Sequence, residues 1–199
     1  MKNIILGLAL VAIILAACNS NSRSTENQVN NNDTLARTRA EQTKVSSSAD
    51  ADSKNTVSIK EIIVTYLQLK NALTKDNTND AATAGTALEA AFKNFDKTAL
   101  TVAQKKIFED VEVDAREHAE HIGKNGGNIE HQREHFEILS NDIYDLVKTF
   151  GGGQVLYKDF CPMYNNKKGA YWISETKEIK NPYLGKAMPT CGNITEEIK

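Results

Sequence analysis

Proline, cysteine, methionine and tryptophan are nearly missing from this chain of 199 residues, which holds three, three, three and one of them. So few cysteines cannot build a disulfide scaffold, so a buried apolar core has to hold the fold. An excess of one charge is also missing: 24 basic against 26 acidic residues leave a formal net charge of −2. Without a basic footprint, nucleic acid is not an expected partner. No apolar run reaches the ~20 residues that a spanning helix needs. The HExxH pair, the nucleophile elbow and the phosphate-cradling loop are absent, and "GGGQ" (151–154) reads as a helix stop. The chain is therefore expected not to be an enzyme.

The longest apolar run, Ile4 to Ala17, follows a single Lys2 and ends in Leu15-Ala16-Ala17-Cys18. A basic start, a short apolar stretch and small residues before a cleavage point form a secretory signal. The "LAAC" ending resembles the bacterial lipobox, which makes residues 1–18 a lipoprotein signal and Cys18 the lipidation site. The expected location is the cell envelope, lipid-anchored and facing the periplasm. Residues 19–55 are almost all Asn, Ser, Thr, Asp, Lys and Arg. Such a stretch cannot bury enough surface to offset its ordering entropy and reads as a disordered polar tether. Residues 56–199 are long enough for one domain with a real core.

Within that domain the apolar residues keep the helical period four times. Ser58 and Glu61 form a capping-box pattern ahead of Ile59, Ile62, Ile63, Tyr66, Leu67 and Leu73. A weaker second stripe over 81–95 carries Ala84, Leu88, Ala91, Phe92 and Phe95, with Gly85 marking a close helix contact. Thr101 and Gln104 open a third helix with Ile107, Val111, Ala115, Ala119 and Ile122, which stops at "GKNGGN". Asn128 caps a fourth that runs from Ile129 through Phe136, Leu139, Ile143, Leu146 and Val147 to Phe150. Short links favour antiparallel neighbours, so the fold class is all-α: an up-down bundle of about four helices. An irregular, hairpin-like tail containing the short strand "GAYWIS" closes it.

The scarce residues are not scattered. Beyond Cys18, both cysteines, both methionines and all three prolines lie within 160–192, as Cys161-Pro162-Met163, Pro182, and Met188-Pro189-Thr190-Cys191. Thiolate and thioether donors suit copper(I), and prolines stiffen the loops that carry them. A Cys161–Cys191 disulfide explains the cysteines equally well and closes a loop worth about 3–4 kcal/mol. Only a metal explains why the methionines adjoin them. The four histidines are uneven too: His118 and His121 precede the "GKNGGN" turn, and His131 and His135 follow it. Each pair can share a helix face near the same end of an antiparallel hairpin, which offers zinc(II) or copper(II) a site with Glu117, Glu120 or Glu134 nearby. For His121 and His131 the favoured reading is a solvated, capping or half-buried side chain on a charged helix end. His118 and His135 fall nearer the apolar stripes and are expected to point inward.

"QREHFEILS" (132–140) and "FCPMYNNKKGAYWISETKEIKNPYLGKAMPTCG" (160–192) together resemble an uncharacterised domain of Bacteroidetes lipoproteins. The same domain occurs at the carboxyl end of some copper/silver efflux membrane fusion (adaptor) proteins. The resemblance runs from the first helix to about Ile194, and it implies a periplasm-facing helical domain tied to heavy-metal handling. By matching position it makes Cys161, Met163, Met188, Cys191 and His135 candidate metal ligands. The expected function is copper(I) binding for sequestration, buffering or delivery to efflux, with zinc as a second candidate ion. Expected partners are the membrane, through the lipid anchor, and components of a heavy-metal efflux pump. The alternative is a non-enzymatic interaction domain whose tail is pinned by the Cys161–Cys191 disulfide.

Overall fold

The computed structural model describes residues 57–199, so Cys18 and the polar stretch 19–55 lie outside the described residues. Four helices come first: α1 Lys60–Leu73, α2 Thr78–Lys93, α3 Val102–Lys124 and α4 Ile129–Phe150. Each packs on its neighbour in sequence, giving the up-down arrangement that the short links imply. The expected stripes form one core, with Ile62, Tyr66, Leu88, Ala119, Phe136 and Leu146 all buried.

The caps show why the helices begin where they do. Thr101 Oγ1 accepts from Gln104 N–H at 3.2 Å while Gln104 Oε1 accepts from Thr101 N–H at 3.1 Å, a reciprocal box. Asn128 Oδ1 accepts from His131 N–H at 3.2 Å. Two expectations need correction. Ser58 forms no capping box with Glu61: the cap position of α1 is Ile59, only 2% exposed, and Ser58 Oγ accepts from the N–H of Lys60, the first helical residue, at 3.2 Å. Helix α2 starts before 81, because Asn77 accepts from Asp80 N–H and caps it at 3.1 Å. On α3 the large ring of Phe108, rather than Ile107, fills the core and stacks on Phe95 with centroids 4.4 Å apart.

The tail is more regular than an irregular hairpin. Strands β1 Leu156–Cys161, β2 Ala170–Ser174 and β3 Asn193–Ile198 form an antiparallel sheet in the order β2-β1-β3. The β1–β2 turn holds Asn165, Asn166 and Lys167 at φ of 49°, 55° and 68°. Asn is among the few residues that enter this left-handed region readily, which accounts for the "NNK" there. Strand β3 left no alternating signal because it is a largely exposed edge strand carrying two adjacent glutamates.

One hydroxyl fastens the sheet to the bundle. Tyr66 on α1 shares a 2.9 Å hydrogen bond with Ser140 Oγ on α4 and accepts from Ile173 N–H on β2 at 3.0 Å. Its ring stacks on Phe136 with centroids 5.3 Å apart. Close by, the ammonium of Lys70, 1% exposed, is held by Glu175 at 2.6 Å. Asp159 of β1 is fully buried and neither carboxylate oxygen has a hydrogen-bond partner.

Two predictions come from this packing. A Cβ on Gly85 would lie 2.9 Å from both Ala119 O and Gly123 N, so α2 and α3 meet there backbone to backbone. The ~1 kcal/mol that Ala gains over Gly in a helix is outweighed by overpacking of about 1–3 kcal/mol, so Gly85→Ala should lower the melting temperature. A higher one would mean that the helices do not touch at Gly85. Burial pushes the Asp159 carboxyl up to about 7, with the Lys70 charge opposing and Glu175 adding to the rise. The fold therefore holds a proton that the unfolded chain has released by about pH 5. Stability is greatest below the unfolded value near 4 and is lost as pH rises through 7. Asp159→Asn should thus melt higher than the wild type at pH 8, with the gain shrinking towards pH 5. A variant less stable at pH 8 would show that Asp159 works as a paired anion.

Candidate metal centre

The four histidines are brought together by the link between α3 and α4. Asn125 Nδ2 donates to His121 O at 2.8 Å, and Asn125 O accepts from Asn128 N–H at 3.1 Å. With Asn128 capping α4, the two helices leave this turn antiparallel and side by side. The one-turn spacings 118/121 and 131/135 then fall on the facing sides. His118 Nδ1 and His135 Nδ1 stand 2.7 Å apart, and His135 Nε2 and His131 Nε2 3.2 Å apart. The His121 ring stacks on His135 with centroids 4.5 Å apart. Among the described residues, His121, His131 and His135 each offer one ligand atom within 4.8 Å of the others, a group that could hold a metal ion.

The chemistry of the donors fits a borderline divalent ion. Three imidazoles at Zn–N bonds of 2.0–2.1 Å in tetrahedral geometry have their nitrogens about 3.3 Å apart. His131 and His135 already sit at that spacing, and the ligand atom of His121 lies within 4.8 Å of both. Burial, and then the neighbouring His118, His131 and His121, push His135 down to about 4. At neutral pH it is an uncharged ring with a lone pair available for coordination. A carboxylate attends each of the other three: Asp114 at 3.4 Å from His118, Glu117 at 3.9 Å from His121 and Glu134 at 3.5 Å from His131. A hollow touching His121 is lined by Glu89, Glu117 and Glu120 with Arg116, a mostly acidic approach for a cation.

The favoured surface reading of His121 and His131 therefore captures only their exposure. Their side chains are 45% and 33% exposed, yet both belong to the cluster, while His118 at 12% points inward as expected. Spacing and the expected antiparallel hairpin put both pairs at one end, and the structure sets them in contact.

The sulfur donors are drawn together in part. Cys161, buried at the end of β1, has its Sγ 3.2 Å from that of the half-buried Cys191, and no bond joins them. Burial and Cys161 push the Cys191 thiol up, against a hydrogen bond from the Met163 backbone. Met163 and Met188 are 45% and 43% exposed. His135 does not complete a sulfur shell: both of its ring nitrogens are taken by histidines, and neither cysteine belongs to its group. The tail is met instead by other α4 positions, with Arg133 Nε donating to Pro182 O at 2.7 Å and Phe136 against Tyr183.

No curated protein and no solved structure matches the chain. One family model does, and its span contains all four histidines and stops short of the sulfur-bearing tail on which much of the sequence resemblance rested. It matches residues 62–154 and is described as DUF3347, a protein of unknown function.

Proposed function

We propose that this protein is a lipid-anchored, extracytoplasmic metal-binding protein that takes up zinc(II) or copper(II) at His121, His131 and His135, for sequestration or for delivery to efflux. The observation that carries the reading is the convergence of three half-buried imidazoles, one of them held neutral, on one point of the α3–α4 seam. Imidazole suits these ions, and three protein ligands leave a position through which an ion can be handed on. The "LAAC" ending at Cys18 and the polar stretch behind it support anchoring outside the cytoplasm. The resemblance to the domain carried by copper/silver efflux adaptors supports delivery to a pump as the destination. Binding is favoured over catalysis because the sequence holds no nucleophile or general-base motif beside the cluster.

The test is a titration of the mature chain with zinc and copper(II). One ion per chain should bind, and zinc at a hundred times its dissociation constant should stabilise the fold by about 2.7 kcal/mol. His131→Ala and His135→Ala should each weaken binding by more than the roughly 10–100-fold that loss of a supporting contact costs. Equal uptake by the wild type and the variant lacking all three rings would overturn the reading.

The 3.2 Å approach of Cys161 to Cys191 favours a second reading for the tail. A metal bridging two thiolates at about 2.3 Å holds them about 3.8 Å apart in tetrahedral geometry, so this contact suits a disulfide better than the four-sulfur copper(I) site. Protein isolated under oxidising conditions should show no free thiol, and Cys161→Ser should cost about 3–4 kcal/mol. Two free thiols, with anaerobic copper(I) uptake that Met163→Ala and Met188→Ala both weaken, would restore the copper(I) assignment.

A further inference from the structure

The turn that sets α3 against α4 holds Asn125-Gly126, and Asn125 is the only asparagine in the chain that is followed by glycine. Such a pair can react with itself. The backbone nitrogen of the following residue attacks the asparagine Cγ, and a glycine there has no Cβ to stand in the way. The Gly126 N–H has no hydrogen-bond partner among the described residues. Attack requires rotation about the Asn125 Cα–C bond, which rests at ψ 39°. The chain that follows can give. Gly126 and Gly127 are exposed, and a Cβ on Gly127, at φ 97°, would meet nothing within 4 Å.

The amide at stake closes the end of α3. The backbone N–H of Asn125 donates to Ile122 O at 3.4 Å, so the His121 carbonyl loses the donor that the helical pattern would give it. Asn125 Nδ2 supplies that bond instead, at 2.8 Å. We propose that Asn125 is a site of spontaneous deamidation, with water as the co-reactant, and that the reaction loosens the end of α3 that carries His121. Gly126 N bonds to Asn125 Cγ while Nδ2 leaves as ammonia, taking up the Gly126 proton, and a five-membered succinimide remains. Water then opens the ring at either carbonyl, to an aspartate or an isoaspartate at position 125. Both products put a carboxylate, which can only accept, beside a carbonyl at the negative end of a helix. The isoaspartate also runs the backbone through Cβ and Cγ, which adds one atom to the link that brings His131 and His135 to His118 and His121. Resting on the metal reading above, deamidation is an ageing step that weakens ion binding.

The test follows the intact, metal-free chain at neutral pH by peptide mass spectrometry. The peptide carrying Asn125 should gain about 1 Da, as a mixture of aspartate and isoaspartate, several times faster than peptides carrying the exposed Asn94, Asn141 and Asn193. Gly126→Ala is the control, because its Cβ would meet Ala82 and Asn79 at ordinary distances of 3.5 and 3.7 Å. It should fold like the wild type and slow the reaction severalfold. Asn125→Asp, which stands in for one product, should melt lower than the wild type and bind zinc about 10–100-fold more weakly. An Asn125 that deamidates only once the chain is unfolded in urea overturns the proposal, as does an unchanged rate in Gly126→Ala or an Asn125→Asp variant as stable as the wild type. If the fresh chain takes up no zinc, the metal reading falls, and the mass of the Asn125 peptide still decides the deamidation.

Discussion

The buried amide of Gln132 fixes the register on which the histidine cluster depends. Gln132 is fully inaccessible, one turn into α4, and its Nε2 donates to Ile122 O at 3.2 Å and to Thr78 O at 3.0 Å. One side-chain amide thereby satisfies a carbonyl in the last turn of α3 and another in the first turn of α2. The buried amide itself would be costly to leave bare in the interior. A slip of α4 along α3 by a single turn, about 5.4 Å, would strand that amide. It would also move His131 and His135 away from His121 and His118. The close approach of α2 to α3 at Gly85 fixes the other side of α3, so α3 has little freedom to shift its histidines.

Within that register the electrostatics of the seam favour an ion. Burial, and then the neighbouring imidazoles of His118, His131 and His121, disfavour protonation of His135. Neutral rings are what a transition metal requires, because ligation competes with the proton. The carboxylates stand at the edge of the cluster, 3.4 to 3.9 Å from ring nitrogens, rather than at its centre. Further along the seam, burial together with Asp114 and Asp145 pushes Asp142 up to about 7, so near neutrality it carries only part of a negative charge.

The hard-to-borderline and soft donors are kept apart. Nitrogens occupy the α3–α4 seam, while the sulfurs lie at the end of β1 and in the loop before β3. Tyr66 and Arg133 tie the two regions through α1 and α4, but no donor is shared between them. This separation favours a borderline ion at the nitrogens and leaves the cysteine contact to help fasten the tail, whose strand β3 is otherwise held by pairing with β1 and by the bonds of Tyr144 and Lys148 to Glu196.

Helical periodicity and caps are local properties, set by side-chain spacing and by backbone groups within a few residues, so the sequence by itself determined the four helices, the Thr101 box, the Asn128 cap and most of the core. For the same reason it marked Cys161 and Cys191 as a pair and each histidine pair as a shared face. Several features arise from contacts remote in sequence, and only the tertiary structure decided them. Burial of Ile59 moved the cap position of α1 one residue past Ser58, and pairing with β1 made a strand of Asn193–Ile198 despite its glutamates. The largest such decision was at His135. Its sequence neighbours connect it with the tail, but the angle of its side chain around α4 carries it to His118, His121 and His131. That angle became meaningful only when the turn at 125–128 and the amide of Gln132 set α4 against α3.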